Sequence, residues 1–253
     1  MIPRAYDLGA TTTDEVARLR AQGATLVALV PVGAIEPHGP HLPLVTDAII
    51  STAACVAAAK GLSGHGLRAL VAPGVPYGVT ECASAFAGAV SVSADALSAF
   101  LGAVVEGLLR DGFTHVCLVN NHLEPAQVAA VRAAIAGLAG AQASVACPVD
   151  RRWARTLSDE FKSGACHAGE YETSILLAAA PELVDEGSLA ALPEVPVSLS
   201  EKLASGVGDF VAMGLARAYA GRPAAATRAH GEEMIARLAA MVVGEVREAL
   251  GGD

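Results

Sequence analysis

The sequence predicts an α/β protein, a three-layer α/β/α sandwich with a mostly parallel central sheet. Short apolar runs alternate along the chain with longer segments of helical pattern. The runs are apolar throughout, which is typical of strands that are covered on both faces. We find no internal repeat and no low-complexity linker, so residues 1–253 are predicted to form a single domain.

Two helices and two strands are predicted before residue 73. A first helix runs to about Ala21, because threonine and aspartate residues cap its start and Gly23 follows its end. Thr25–Pro31 is a continuous apolar run and is predicted as a strand. Thr46–Lys60 is predicted as the second helix. Arg68–Ala72 is the second strand.

The middle of the chain continues the alternation. Residues 73–78 are rich in proline and glycine, and we interpret them, with the stretch that follows to Val92, as an irregular wall over a site. Ser93 caps a long helix that ends near Asp111. His115–Asn120 is predicted as the third strand, Pro125–Leu138 as a helix and Ser144–Val149 as the fourth strand.

The remainder is predicted to be mainly helical. Glu170–Ala180 reads as a helix that Pro181 ends. Leu192–Ser200 contains two prolines and is predicted as a surface crossover. Asp209–Tyr219 is predicted as a helix interrupted by glycine, and Thr227–Leu250 as a long amphipathic helix.

Composition excludes several classes of function. The net charge is −9, and no cluster of lysine and arginine offers a groove for nucleic acid. No apolar run reaches the ~18–20 residues of a membrane span, and no signal peptide is visible. Five cysteines without a framework spacing indicate reduced thiols. We therefore expect a cytoplasmic protein that binds neither nucleic acid nor a membrane.

Potential metal ligands cluster after the first strand. Glu36 and His38 lie two residues apart in its exit loop, and Asp47 lies in the first turn of the next helix. An isolated aspartate there would be read as a partner of the helix N-terminus. The density of carboxylates and imidazoles in one segment favours a metal site instead.

The same residue types recur in two later segments. His122 and Glu124 follow the third strand, and the carboxyl ends of parallel strands share one edge of a sheet. His167 and Glu172 precede and begin a later helix, close enough in sequence to face one pocket. His167 suits proton transfer, because the pKa of imidazole lies near neutral pH. The neighbouring Cys166 is interpreted as inert or as pocket lining.

These ligands suit two divalent ions that activate water and polarise a carbonyl, as in a metal-dependent hydrolase. A nucleotide-binding sheet protein is an alternative on fold grounds, but the Gly-rich turn from strand to helix is missing.

The motifs resemble those of the creatininase (creatinine amidohydrolase) family. The segment 31–47 is similar to that family's first signature, and Asn120-Asn121-His122-Leu123-Glu124 is similar to its Asn-Gly-His motif. His167-Ala168-Gly169 with Glu172-Thr173-Ser174 resembles the third motif, and residues 223–232 give a weaker match. The resemblance spans nearly the whole chain.

The resemblance implies a creatininase-like fold and a binuclear centre of zinc, manganese or iron. It implies the metal ligands Glu36, His38, Asp47, His122 and Glu124, with Asp47 bridging. His167 would move a proton between the attacking water and the leaving nitrogen, and Glu172 would hold a water or orient the site. Family members often assemble as hexamers, so a homo-oligomer is expected.

Departures from the family pattern concern the substrate. Cys166 stands where creatininase has a glutamate, and Trp153 is the only tryptophan, whereas creatininase surrounds its substrate with several. Ala85 replaces a histidine before a segment, 86–89, that also differs. We therefore expect an amide substrate other than creatinine, with Tyr77, Glu81, Phe86 and Cys166 as candidate substrate-lining residues.

Three functions remain open at this point. The first is hydrolysis of a C–N bond in a cyclic amide, a formamide or a similar small non-peptide substrate. The second is a peptidase that acts on a small modified peptide, and the third is a catalytically silent metal-binding protein.

Overall fold

One parallel sheet lies at the centre of the computed structural model, which describes residues 2–252. Its strands are β1 (Leu26–Val32), β2 (Arg68–Val71), β3 (His115–Asn120) and β4 (Ala143–Ala146). Their spatial order is β2-β1-β3-β4, and each neighbouring pair is parallel. The predicted parallel sheet is confirmed.

Helices connect and follow these strands. In chain order they are α1 (Thr13–Ala21), α2 (Thr46–Ser63), α3 (Ala94–Arg110), α4 (Pro125–Ala133), α5 (Arg151–Ala154), α6 (Asp159–Ser163), α7 (Glu170–Ala179), α8 (Glu186–Leu189), α9 (Leu199–Ala204), α10 (Phe210–Met213) and α11 (Arg228–Ala249). No helix of the described residues is long and apolar enough to cross a membrane.

The two faces of the sheet carry separate apolar cores. Val27 and Leu29 of β1 pack on one face with buried residues of α2, α7 and α11. Ala28 and Val30, which alternate with them, pack on the other face with buried residues of α3 and α4. Because side chains alternate along a strand, a fully apolar strand can serve both cores. This arrangement is the predicted three-layer sandwich.

Three predicted elements are shorter in the structure. The helix predicted over Asp209–Tyr219 is confined to α10, because Gly214 adopts a left-handed conformation with φ +99° at its end. The helix predicted over Pro125–Leu138 ends at Ala133 and continues as turns. The fourth strand ends at Ala146, beside the end of β3 and before Pro148.

The segment predicted as the crossover 192–200 is mostly irregular, but its last residues begin α9. The short helices α5, α6, α8 and α9 have no counterpart among the predicted elements.

The order of the strands places the functional loops. The chain passes from β1 to β2 on one side of β1 and then crosses back to β3 on the other side, so the ends of β1 and β3 form a topological switch point. Val32 and Asn120, the last residues of these strands, pair directly. The loops that carry Glu36 and His122 therefore start side by side.

Gly33 lets the β1 exit loop approach α2 closely. A Cβ atom at this position would lie 2.5 Å from the backbone nitrogen of Ala48. Only glycine therefore allows the loop to place Glu36 and His38 against the first turn of α2.

Candidate metal centre

The β1 exit loop carries Glu36 and His38 inward. The Glu36 N–H donates to Leu44 O at 3.0 Å, and a bridge pairs His38 with Leu42. The loop is thus closed on itself, and both functional side chains are buried. The prolines and glycine within it limit the conformational entropy that is lost when the loop is ordered.

A first group of donors joins this loop to α2 and to the β3 exit. His122 Nδ1 lies 3.1 Å from Glu36 Oε1 and 3.1 Å from Asp47 Oδ2. All three side chains are buried, and their ligand atoms lie within 4.8 Å of one another. Two carboxylates and one imidazole therefore converge on one point.

A second group shares Asp47 with the first. His38 Nε2 lies 3.2 Å from Asp47 Oδ1 and 3.6 Å from Glu172 Oε2. Asp47 directs Oδ2 to the first group and Oδ1 to the second. This geometry is that of a carboxylate placed between two neighbouring cation sites.

A third group connects His167 to these two. His167 Nδ1 lies 3.6 Å from Glu36 Oε1, and the rings of His38 and His167 are 4.4 Å apart. Phe210 packs on the His167 ring at a centroid distance of 4.6 Å. His167 is therefore held beside both donor groups by ring contacts.

Main-chain carbonyls orient all three histidines. His38 Nδ1 lies 3.0 Å from Glu36 O, His122 Nε2 lies 2.7 Å from Val79 O, and His167 Nε2 lies 2.9 Å from Pro37 O. A carbonyl only accepts, so each of these ring nitrogens donates its N–H. In the neutral ring the other nitrogen then presents a lone pair to the carboxylates, as a metal ligand must.

Hydrogen bonds also fix two of the carboxylates. The Thr80 hydroxyl donates to Glu36 Oε2 at 2.7 Å, which leaves Oε1 facing the histidines. The Ala168 N–H donates to Glu172 Oε2 at 2.6 Å. Ala168 has φ +50°, a left-handed conformation that costs free energy in a residue other than glycine. That conformation lets its N–H reach the Glu172 carboxylate.

The electrostatic environment of the centre attracts positive charge. Burial opposes an imidazolium at His38, but Asp47, Glu172 and Glu36 outweigh it and raise the pKa of His38 to about 10. The His122 pKa is also raised, because Glu36 and Asp47 overcome the effect of burial. Lone pairs of nitrogen and oxygen 3.1–3.2 Å apart repel unless a proton or a metal ion lies between them.

Burial disfavours charge at two other groups. It raises the pKa of Glu172 to about 8. Burial, together with the charge of His38, lowers the pKa of His167 to about 4. His167 is therefore neutral at pH 7 and has a nitrogen free to accept a proton.

The donor set fits two divalent cations. His38 Nε2 and Asp47 Oδ2 are buried and have no hydrogen-bond partner. Within residues 2–252, no lysine or arginine forms an ion pair with Glu36, Asp47 or Glu172. Buried charges without compensation are costly, and carboxylate oxygen with imidazole nitrogen suits zinc, manganese or iron.

Glu124, the fifth predicted ligand, is placed differently. Its carboxylate accepts hydrogen bonds from the N–H groups of Glu81, at 3.2 Å, and Cys82, at 3.1 Å. It belongs to none of the three donor groups, whereas Glu172 does. The structure thus brings together four of the five predicted ligands and adds Glu172 to them. Metal binding by Glu124 remains a prediction.

The donor groups open into a cavity of about 460 Å³. Its lining includes the buried Asp47, His167 and Glu172, which we call its floor, and the partly buried Glu124 and Cys166. Burial raises the pKa of the Cys166 thiol to about 12, so the group is not a reactive thiolate at neutral pH. This placement agrees with the interpretation of Cys166 as pocket lining.

Three candidate substrate-lining residues lie elsewhere. Tyr77 is 52% exposed and does not line this cavity. Glu81 accepts a hydrogen bond from the Ser91 hydroxyl, and Phe86 does not line the cavity but packs on an apolar cluster that includes the lining residue Cys82. The irregular segment therefore contributes through Thr80 and Cys82 rather than through the residues that were expected. A threonine in an irregular segment carries no spacing signal that could have identified it.

A family model described as creatinine amidohydrolase matches residues 10–246. The chain belongs to the creatininase family. This result confirms the resemblance seen in the three motifs, and the family consists of hydrolases.

Curated relatives carry two different names. The mycofactocin precursor peptide peptidase of Mycobacterium ulcerans (strain Agy99) is 32% identical over 225 residues, covering 83% of this chain and 80% of the relative. The creatinine amidohydrolase of Pseudomonas putida is 29% identical over 185 residues, covering 66% of this chain and 69% of the relative.

Solved creatininases share the fold. A mutant creatininase of the Zn-Zn type has a TM-score of 0.73 at 24% identity, covering 97% of this chain and 98% of that one. A creatininase described with Mn has a TM-score of 0.72 at 24% identity, covering 96% of this chain and 98% of that one.

Proposed function

We propose that this protein hydrolyses an amide C–N bond of a small substrate with two divalent metal ions. One observation carries the proposal. Two groups of buried donors share the two oxygens of Asp47 and lie beside His167 at the floor of a cavity.

The two groups would hold one ion each. Glu36, Asp47 and His122 form one position, and His38, Asp47 and Glu172 form the other. Zinc and manganese are the ions named for solved creatininases, and iron is compatible with the same donors. Paired ions of this kind lower the pKa of water toward neutrality and polarise a substrate carbonyl.

His167 supplies the proton transfers. Its Nδ1 lone pair faces the donor groups, so it can accept a proton from the attacking water. The oxygen of that water bonds to the carbonyl carbon, and the C–N bond breaks. The same nitrogen then gives its proton to the departing amine, so the products are a carboxylic acid and an amine. Pro37 O holds the ring in the required orientation throughout.

The cavity sets the size of the substrate. A volume of about 460 Å³ lies in the range of small-ligand pockets, about 300–1,000 Å³. Apolar side chains form much of the wall, including Phe161, Leu199 and Phe210. The walls exclude bulk water around the donor groups, which strengthens electrostatic interactions there.

A second candidate is cleavage of a small modified peptide. It is supported by the similarity to mycofactocin precursor peptide peptidases and by a cavity larger than a cyclic amide of creatinine size requires. The metal centre and His167 would act identically, since the bond is again an amide.

Metal-dependent turnover separates these candidates. The purified protein would be stripped with a chelator, reloaded with zinc or manganese, and assayed on lactams, formamides and short peptides, with metal content measured in each sample. We expect turnover that disappears with the ions and returns with them. Two bound ions without turnover on any substrate would favour the silent metal-binding protein, and full activity without ions would contradict the proposal.

A further inference from the structure

The exposed part of the cavity lining, which we call the mouth, carries a charge opposite to that of the buried floor. Arg151, Arg155 and Lys162 line it, although the chain has only 17 lysines and arginines and a net charge of −9. The acidic residues that line the cavity are Asp47, Glu124 and Glu172, which belong to the floor or its edge. A ligand in this cavity therefore meets cationic side chains at one end only.

Two of these cations have no acidic partner. Within residues 2–252, no carboxylate lies within ion-pair distance of Arg151 or Arg155, and both side chains are exposed. Lys162 differs, because it pairs with Asp159 at 2.7 Å. Arg155 follows α5 directly and keeps helical backbone angles, φ −65° and ψ −20°, so it lies four positions after Arg151 on the same side of the turn.

Helix α5 is anchored by its other side. Arg152 pairs with Glu245 at 2.6 Å and with Glu248 at 2.7 Å, both on α11, and the Trp153 ring N–H also donates to Glu245. The face with Arg151 and Arg155 is thereby held toward the cavity. Guanidinium groups on an anchored turn suit the recognition of a carboxylate.

We infer that Arg151 and Arg155 bind a carboxylate of the substrate, so that the substrate is an amide with an apolar body and an anionic end. This inference rests on the proposed function, because it requires the scissile amide to lie at His167. The apolar side chains of the cavity lining accommodate the body of the molecule, among them Leu123, Phe161, Leu199, Leu203 and Phe210. An N-acyl amino acid or the carboxyl end of a short peptide has this chemistry.

Calorimetric titration of the metal-loaded protein tests the inference without turnover. The probes are 4-phenylbutyrate and the neutral 4-phenylbutan-1-ol, which match in their apolar part and differ in the anionic end. We expect wild type to bind the carboxylate more tightly than the alcohol. Removing each arginine, in Arg151→Ala and Arg155→Ala, should weaken carboxylate binding by about fivefold and leave alcohol binding unchanged.

Arg228→Ala is the matched control. Arg228 is exposed, has no ion pair among residues 2–252 and does not line the cavity, so this variant makes the same change in net charge elsewhere. It should bind both probes like wild type. A higher salt concentration should reduce the preference of wild type for the carboxylate over the alcohol. The same change should have little effect on the relative affinities of the Arg151→Ala/Arg155→Ala double variant.

Three results would overturn the inference. One is unchanged carboxylate binding in the double variant, as expected if the probe binds only at the metal ions. Another is an equal loss of affinity for both probes in the double variant, which would indicate a change in cavity shape. The third is a loss of carboxylate binding in Arg228→Ala as large as that in Arg151→Ala or Arg155→Ala. Absence of amide turnover would refute the proposed function but would not alter these titrations, so the two failures are distinguishable.

Discussion

Replacing Asp47 with asparagine should weaken metal binding at both positions. Among residues 2–252, Asp47 is the one residue common to the first and second donor groups, and asparagine keeps its size while losing its charge. We expect metal content to fall from two ions per chain to one or none. Amide hydrolysis should fall by at least about a thousandfold, because both water activation and carbonyl polarisation depend on the pair.

The stability change follows from linkage between metal binding and folding. An ion present at about 100 times its Kd adds about 2.7 kcal/mol to the free energy of unfolding. Losing one such ion should lower the Tm by about 5–11 °C, at about 2–4 °C per kcal/mol for a chain of this size. Thermal unfolding of wild type and Asp47→Asn, with and without added zinc, measures this difference.

Asp95→Asn is the control for the effect of helix position. Asp95 is the second residue of α3, as Asp47 is of α2, but it is exposed and remote from the donor groups. Losing the Asp95 charge should lower the free energy of unfolding by about 0.3–1 kcal/mol, because the charge interacts with the helix dipole, and should leave two metal ions per chain. If Asp47→Asn kept two ions and full activity, or behaved like Asp95→Asn, the shared-carboxylate interpretation would be refuted.

Three further predictions address His167, the β1 exit loop and the dependence of stability on pH. His167→Asn should lower kcat by about 10²–10⁴ while metal analysis still finds two ions, and a normal kcat would exclude His167 as the proton carrier. Gly33→Ala should lower the free energy of unfolding by about 1–3 kcal/mol, because the added Cβ would meet the Ala48 backbone. Gly137→Ala is the control: its added Cβ would have no atom within 4 Å, so the urea denaturation curve should be nearly unchanged. Burial lowers the pKa of His115, so the unfolded chain binds a proton that the folded chain does not. The neutral imidazole of His115 therefore stabilises the fold above pH 6.5, and this stabilisation is lost as the pH falls below 6.5. The urea midpoints measured at pH 7.5 and pH 5 should differ less in His115→Gln than in wild type.

The sequence predicted best where burial and topology decide the structure. His115–Asn120 is apolar enough to read as a covered strand, and its bounds match β3. The meeting of the Glu36 and His122 loops followed from the parallel order of β1 and β3. These inferences need only the pattern of apolar residues and the rule that strand ends share an edge.

The sequence predicted less where a side chain has two hydrogen-bonding choices. Spacing alone could not show that Glu124 accepts from the N–H of Cys82, or that Glu172 faces His38. Helix α5, which begins at Arg151 and ends just before Arg155, has only four residues and hence no periodicity to detect. The homo-oligomer, the single domain and the cytoplasmic location remain predictions.

The orientation of the three histidines by Glu36 O, Val79 O and Pro37 O has an evolutionary consequence. A backbone carbonyl survives almost any change of its own side chain, so mutation of neighbouring positions leaves the imidazole tautomers intact. Descendants of one ancestor can therefore exchange the residues that select a reactant and still inherit working chemistry.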